Sequence, residues 1–581
     1  MTIPRFTSLA SSAWLIGVAA VFAACRTAGA DPDWSRDGKW LAFMTQAGDS
    51  NQKFQPGWWS RPDAAFDSPR AFVPATFNLW VCRVEDRQCW RLATSDLGFS
   101  TPVWSPDGQE LAYVRLSDGS DDRVLVEVVL QHGFEPPRVL ASCEMKTDGA
   151  RGLAVGLGRM RLAARNAAPA WSPRGTYLAA PFESLGMAIF RASDGSRVAS
   201  FPDASFASWS PDERRLAFTL PGETAGYHVT APDLGPARLA IATNFAAYPV
   251  VWEPNGTAFH AIVWRELANA PGTPPNVADL QRYDLKRERP EVVRSVLTKR
   301  PSLTGGPAHI YFPRLAGTRS LFVLTSGYGH TSEALEFALD QQAVPRRHTI
   351  LERDLEASDP SVSPDGRTVA LRVGPDASSG VPATYDLKRG ELRLILPDHD
   401  TQLRAAHTVI ELMLDSLEIG PRPDGTKASL APVRLPSPAT LAALQQRDSR
   451  FAERFDRLAR MGKDIIAAAP ADSLDLRQRR AVVEARMFLT YISADYAAAL
   501  AATESLDPLL DSSRDRLALT LVRAQCLIGS RKFAPARQLL EFLQQKVGRA
   551  ARDETPPEED EQKRLAVAVQ RLLDELADAQ K

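Results

Sequence analysis

The sequence predicts a multidomain β + α chain, a seven-bladed (six to eight) β-propeller followed by an all-α helical-repeat domain. Three observations carry this expectation. A strand–turn–strand phrase recurs between residues 31 and 398. Alternating apolar residues and turn-formers flank each copy, as half-buried strands require. From residue 438 onward the apolar period changes to that of a helix.

The phrase is plainest as "TPVWSPDGQELAYVR", residues 101–115. It returns as "DWSRDGKWLAF" from Asp33, "PAWSPRGTYLAA" from Pro169, "ASWSPDERRLAF" from Ala207, "PVVWEPNGTAFHAIV" around Trp252 and "SVSPDGRTVALRV" from Ser361. The tryptophan recurs at Trp34, Trp104, Trp171, Trp209 and Trp252, and Val362 stands in its place in the last copy. A worn copy begins near Tyr311, which makes seven units. Within "SPDG" the proline presets φ for the first central turn position, aspartate suits the second, and glycine takes the left-handed exit. A second hairpin follows, as in "NLWVCRVEDRQCWRLAT" and "MAIFRASDGSRVASF". Four short strands per unit is the count of a propeller blade. A blade covered on both faces needs apolar residues on both, and the tryptophan serves as a wedge between blades. "ELRLILP", 391–397, is expected to be the last outer strand, with ring closure against the N-terminal segment.

At these residues the chain resembles the TolB-like propeller family, whose WD-like repeat reads roughly P-x-W-S-P-D-G-x-x-L-A-Y. The resemblance covers about residues 31–398 and implies a binding scaffold. Oligogalacturonate lyases also resemble that family and hold a metal through channel histidines, so the resemblance leaves a lyase open as well.

The N-terminus is read separately. One basic residue, Arg5, precedes the apolar run "LASSAWLIGVAAVFAA", and "CRTAGA" follows. This layout, 1–30, is that of an export signal. Two cleavages compete: after Ala30, giving a free periplasmic protein, or before Cys25 in "FAAC", which resembles a lipobox and would make an outer-membrane lipoprotein anchored by a lipid at Cys25. The propeller is then expected over 31–398, a linker with a short helix over 399–437, and the helical domain over 438–581.

In that last segment "SPATLAALQQ" opens with a Ser cap and proline at the first helical position. Two helical hairpins align with Tyr496 over Phe533, 37 residues apart, and with small Ala499 over Ala536. This is similar to tetratricopeptide repeats, in which a small residue lets paired helices approach. Met487 and Ala524 fill the matching site of the first helix, so the first copy departs from the pattern. "RDETPPEEDEQ" is expected to be a loop, and "KRLAVAVQRLLDELADAQ" a terminal capping helix.

Charge and motifs narrow the function. Among 581 residues, 69 Lys and Arg balance 70 Asp and Glu, so nothing favours nucleic acid as a partner. No G-x-S-x-G, H-E-x-x-H, Walker loop or EF-hand loop occurs. The eight histidines, His132, His228, His260, His309, His330, His348, His399 and His407, do not recur at equivalent places in successive blades. The turn aspartates Asp37, Asp107, Asp212 and Asp365 are explained by their turns. No catalytic residue, cofactor or metal site is therefore expected. Cys82 and Cys89 flank a turn and could face each other across a hairpin, as a disulfide or as two small hydrophobes. The insertion "QKFQPGWWSRPDAAFDSPRAFVP" carries Phe54, Trp58 and Trp59, which either pack on the propeller or offer an interaction loop. The expected function is a non-enzymatic exported scaffold or adaptor for envelope proteins. The alternatives are a propeller enzyme of polysaccharide breakdown, with two or more histidines and a carboxylate gathered in the channel, or a small-ligand sensor.

Overall fold

The computed structural model describes residues 32–47, 76–119, 123–146, 168–182, 186–243 (save 223), 249–265, 277–298, 309–316, 320–327, 330–338, 346–351, 356–374 and 381–398. In the helical part it describes 437–447, 476–510, 513–550, 556–579 and a few positions between 401 and 465. The segment 1–30 with Cys25, and Phe54, Trp58 and Trp59, lie outside the described residues. The chain divides into two compact units: one reaches from the N-terminal strands to Pro397, and the other takes Asp398–Lys581.

The first unit is a β-propeller. Six four-stranded antiparallel sheets, 33–95, 170–201, 205–242, 251–298, 309–351 and 356–394, each follow chain order from strand to strand. A five-stranded sheet, 98–146, lies between the first two in the chain. Counted by chain position these are sheets 1 to 7, the five-stranded one being sheet 2. Its extra strand has a simple origin. Gly98–Phe99 pairs with Leu116 and Arg115, and Val103–Trp104 pairs with Ala112 and Leu111, so both lie along the one strand Glu110–Asp118. The first strand is broken at residues 100–102, where the Ser100 hydroxyl accepts the Val114 N–H at 2.8 Å in place of a regular ladder. The innermost strands of the sheets touch one another in series, and that of sheet 7 touches that of sheet 1.

The repeated tryptophan links neighbouring sheets. Its indole N–H donates to the carbonyl one residue before the equivalent position in the preceding sheet: Trp171 to Val103 at 3.2 Å, Trp209 to Ala170 at 2.9 Å and Trp252 to Ser208 at 3.1 Å. Trp34 makes the same bond to Ser361, at 3.0 Å across 327 residues. The Trp104 indole has no such partner among the described residues; instead its backbone N–H donates to the Asp33 carboxylate at 2.8 Å.

Among the described residues sheets 1 and 7 share no strand. Glu391–Leu394 is the outer strand of sheet 7, and sheet 1 is built wholly from 33–95. Closure rests on side chains: Trp34, Leu41, Phe43, Trp80 and Cys82 of sheet 1 pack with Ala370 and Ile395, and Arg372 donates to the Met44 carbonyl at 2.6 Å.

Each "SPDG" turn is held by its own residues. In sheet 2 the Ser105 hydroxyl donates to Asp107 at 2.6 Å and accepts the Glu110 N–H at 2.9 Å. Sheets 1, 4 and 7 repeat the arrangement with Ser35 and Asp37, Ser210 and Asp212, and Ser363 and Asp365. The hydrogen bond from Ser105 holds the Asp107 carboxyl below its ordinary value. For Asp37 and Asp212 partial burial is the largest single influence and pushes the other way, and the bonds from Ser35 and Ser210 outweigh it together with the Lys39 and Arg214 backbone N–H groups and nearby positive charge. Carboxylates with depressed folded pKa values contribute stability that is complete above their unfolded value, 3.8, and disappears as pH falls through the lower folded value. Acid titration of the intact chain should therefore lower the propeller's unfolding midpoint below about pH 4. Asp107→Asn and Asp212→Asn together should flatten that slope.

The second unit is helical: α1 Pro438–Arg447, α2 Leu476–Ile492, α3 Tyr496–Leu506, α4 Ser513–Gly529, α5 Phe533–Ala550 and α6 Pro556–Ala579. Tyr496 and Phe533 are the first residues of α3 and α5, as the alignment predicts. The two interhelical turns repeat bond for bond at a 37-residue offset. Ser493 N–H to Leu489 O matches Ser530 to Cys526, Ala494 to Tyr491 matches Arg531 to Ile528, and Asp495 to Thr490 matches Lys532 to Leu527. Ala494 and Arg531 both take a left-handed φ of 58°. Ala499 and Ala536 are fully buried. One expectation is corrected: the acidic "PPEEDEQ" belongs to α6. Proline suits a first helical turn, and Glu and Asp favour the positive end of the helix dipole.

Candidate functional site

The turns between first and second strands sit side by side from sheet to sheet. A Cβ added to Gly38, Gly175 or Gly256 would lie 3.8, 3.8 and 3.6 Å from the ring of Pro364, Pro106 and Pro211, the prolines of the preceding turns. Where sheet 1 has Arg36 in place of proline, that side chain reaches to the Pro106 carbonyl at 3.1 Å. Where sheet 4 has Glu213 in place of glycine, φ is +61°. Its carboxylate accepts the Arg174 N–H and, at 3.3 Å, the Thr176 hydroxyl. The added bonds offset the strain of a non-glycine residue in that region.

Sheet 5 departs from the repeat at three touching positions. Glu253 stands where Ser35, Ser105, Ser172, Ser210 and Ser363 stand elsewhere. His260 pairs with Val251 as Ala112 pairs with Val103, Ala179 with Ala170 and Ala370 with Ser361. Arg282, opposite His260, takes the place held by Leu130 opposite Ala112 and Ile189 opposite Ala179. Arg282 holds Glu253 through two bonds, at 2.6 and 3.1 Å, and Asp284 at 3.3 Å. His260 Nε2 lies 3.3 Å from Glu253 Oε1, without the alignment of a hydrogen bond. The ring is 5% exposed. Burial pulls its pKa below the ordinary value against the opposing Glu253 charge, so the imidazole is neutral near pH 7. Burial pushes Glu253 up, and the Arg282 bonds and charge outweigh it. This is a half-buried ion pair with one neutral histidine, and it ties Glu253 to the second and third strands, where a serine elsewhere bonds within its own turn.

A partly exposed aromatic row bridges sheets 1 and 2. The Trp40 and Trp90 rings are 5.7 Å apart, and Trp90 and Phe134 are 5.6 Å apart. Arg83 lies over Trp90 at 5.6 Å, and Phe134 is 63% exposed. Further exposed apolar side chains occupy outer strands, Val139, Leu239 and Val292, and the helical unit, Phe542 and Val567. In sheets 2, 4 and 5 a β-bulge follows that outer-strand residue directly. A bulge of this kind discourages edge-to-edge pairing.

Of the residues singled out in the sequence, Cys82 and Cys89 are brought together as a cross-strand pair in sheet 1, both as thiols. His228 bonds the Thr224 carbonyl at 2.8 Å, and His348 lies 3.2 Å from Glu336. Among the described residues no three His, Cys, Asp or Glu side chains stand close enough to hold a metal. No described helix is long and apolar enough to cross a membrane. The Glu253–His260–Arg282 group was missed in the sequence. Its one signal was "VWEPNGTAFH", where Glu replaces Ser and His replaces Ala.

No protein-family model matches the chain, and no curated protein matches it in sequence. Among solved structures it is similar to the β-propeller domain of the Trilobed protease from Pyrococcus furiosus, described as having an open velcro topology. That match has 11% identity, covers 63% of this chain and 97% of that one, and has a TM-score of 0.39. It is similar to TolB from Acinetobacter baumannii, at 13% identity, 56% and 77% coverage and a TM-score of 0.32. It is also similar to oligogalacturonate lyase from Vibrio parahaemolyticus, at 12% identity, 61% and 87% coverage and a TM-score of 0.37.

Proposed function

We infer that the protein is an exported, non-enzymatic scaffold that binds envelope proteins through its propeller and its helical hairpins. In this reading the five-stranded sheet counts as a seventh blade, and the hairpins are tetratricopeptide-like repeats. The single observation that supports binding best is the aromatic row of half-buried Trp40 and Trp90 ending in exposed Phe134, with Arg83 over Trp90. Tryptophan, other aromatics and arginine dominate the energetic centres of protein interfaces. The 37-residue repetition of the hairpin turns supports the helical half.

A photo-crosslinking residue placed at Phe134, in the full chain with its own leader, tests the reading. The expected result is a discrete adduct with an envelope protein, lost in Trp90→Ala and retained when residues 438–581 are removed. A second crosslinker at Phe542 should give an adduct that this removal abolishes. An uncrosslinked chain at both sites, or one retained in the cytoplasm, would contradict the proposal.

A further inference from the structure

The cysteine pair sits at the joint where the first sheet meets the last. Cys82 and Cys89 are directly opposite each other on the second hairpin of sheet 1, on strands Thr76–Arg83 and Gln88–Ser95. The equivalent pairs elsewhere are unlike: Phe190 with Arg197, Thr230 with Ala237, Tyr283 with Pro290 and Tyr385 with Leu392. Two of the chain's five cysteines thus fall on one cross-strand pair. Side chains opposite each other on neighbouring strands share a face and lie within disulfide reach. Cys82 is fully buried and Cys89 is partly exposed. Both belong to the cluster in which sheet 1 meets Ala370 and Ile395 of the last sheet region, the seam that no shared strand closes.

We propose that Cys82 and Cys89 form a redox latch, a cross-strand disulfide that stiffens the hairpin against which the ring closes. The oxidant is a small-molecule or protein disulfide. The Cys89 thiolate, the accessible one, attacks it and releases the first donor thiol, leaving a mixed disulfide on Cys89. The Cys82 thiolate, which reaches no other sulfur in the hairpin, then attacks the Cys89 sulfur and expels the second donor thiol. Two protein thiols are oxidised, one donor disulfide is reduced to two thiols, and the two protons leave with them. Formation in the cell rests on the export reading, because an oxidising compartment supplies such donors.

The test uses the reduced, purified full chain equilibrated with oxidised glutathione, then alkylated and digested with trypsin. Cleavage after Arg83 and Arg87 separates the two cysteines, so a latch joins the peptide ending "NLWVCR" to "QCWR". The expected product is that joined pair, with the propeller's unfolding midpoint raised by a few degrees over the reduced chain. Cys89→Ser should show neither the crosslink nor the rise. Glutathione retained on Cys89, or both cysteines alkylated, would overturn the latch; a crosslink without any thermal shift would overturn its role at the seam. The same digest on protein taken from cells reports export separately: a pair that closes in vitro but is reduced in vivo argues against the compartment and leaves the latch standing.

Discussion

Trp34→Ala should destabilise the propeller by about 3–5 kcal/mol, as removal of a large buried aromatic side chain does. Trp34 is 7% exposed and packs in the seam cluster with Phe43, Trp80, Ala370 and Ile395. Its loss also removes the bond to the Ser361 carbonyl. Trp34→Phe retains most of the bulk and loses the hydrogen bond, so about 1 kcal/mol is expected. An internal comparison sharpens this. Trp104 occupies the same place in sheet 2, but its indole N–H has no partner among the described residues, so Trp104→Phe should cost less than Trp34→Phe or Trp171→Phe. Urea unfolding followed by circular dichroism in the β region reads all four variants. Equal losses for Trp104→Phe and Trp171→Phe would show that the interblade bonds add nothing.

Arg480→Met should have a comparable effect on the helical unit, about 3–5 kcal/mol. Arg480, 8% exposed, bonds Glu484 at 2.9 Å along α2 and Asp515 at 2.9 Å from α4. Both carboxylates are at most 2% exposed. Desolvation works against this arginine, and its two carboxylate partners more than compensate. Replacing it leaves two buried negative charges without their shared cation. Replacing all three at once, with Arg480→Met, Glu484→Leu and Asp515→Leu, should recover most of the loss, because none of these three charges then stays buried. Helical ellipticity against urea measures both. A triple variant as unstable as Arg480→Met would mean that the triad stabilises the fold outright.

The parts of this architecture that depend on near neighbours were legible in the chain. The "WSPDG" phrase marks each turn, and the Ser-to-Asp bonds that hold it span two residues. Tyr496, Phe533, Ala499 and Ala536 locate the hairpins because helix period and turn length are local. What escaped depends on register and on contacts between distant segments. The break at residues 100–102 holds Pro102, but the same proline opens the recurring P-x-W phrase, as Pro169 does before Trp171, so it did not stand out as an interruption of a strand. Glu253 and Arg282 are 29 residues apart, and only the pairing of two strands shows that they meet. Glu484 lies four residues from Arg480 and could be read as a helical pair, whereas Asp515 enters from another helix, 35 residues on. The start of α6 was read as a loop because its acidic run suggests solvent. The same charges suit the first turn of a helix.

The claim on which the rest depends is that the propeller closes through side chains alone, sheet 1 against sheet 7. Spin labels at Lys39 and Arg367, exposed and equivalent positions of the two turns that meet there, measure the closure in solution. Lys39 and Gln109, the same positions in sheets 1 and 2, provide the yardstick. A closed ring gives the 39–367 pair a single narrow distance matching that of the 39–109 pair. A longer or broad 39–367 distribution beside a narrow 39–109 one would mean that the ring stands open at this seam.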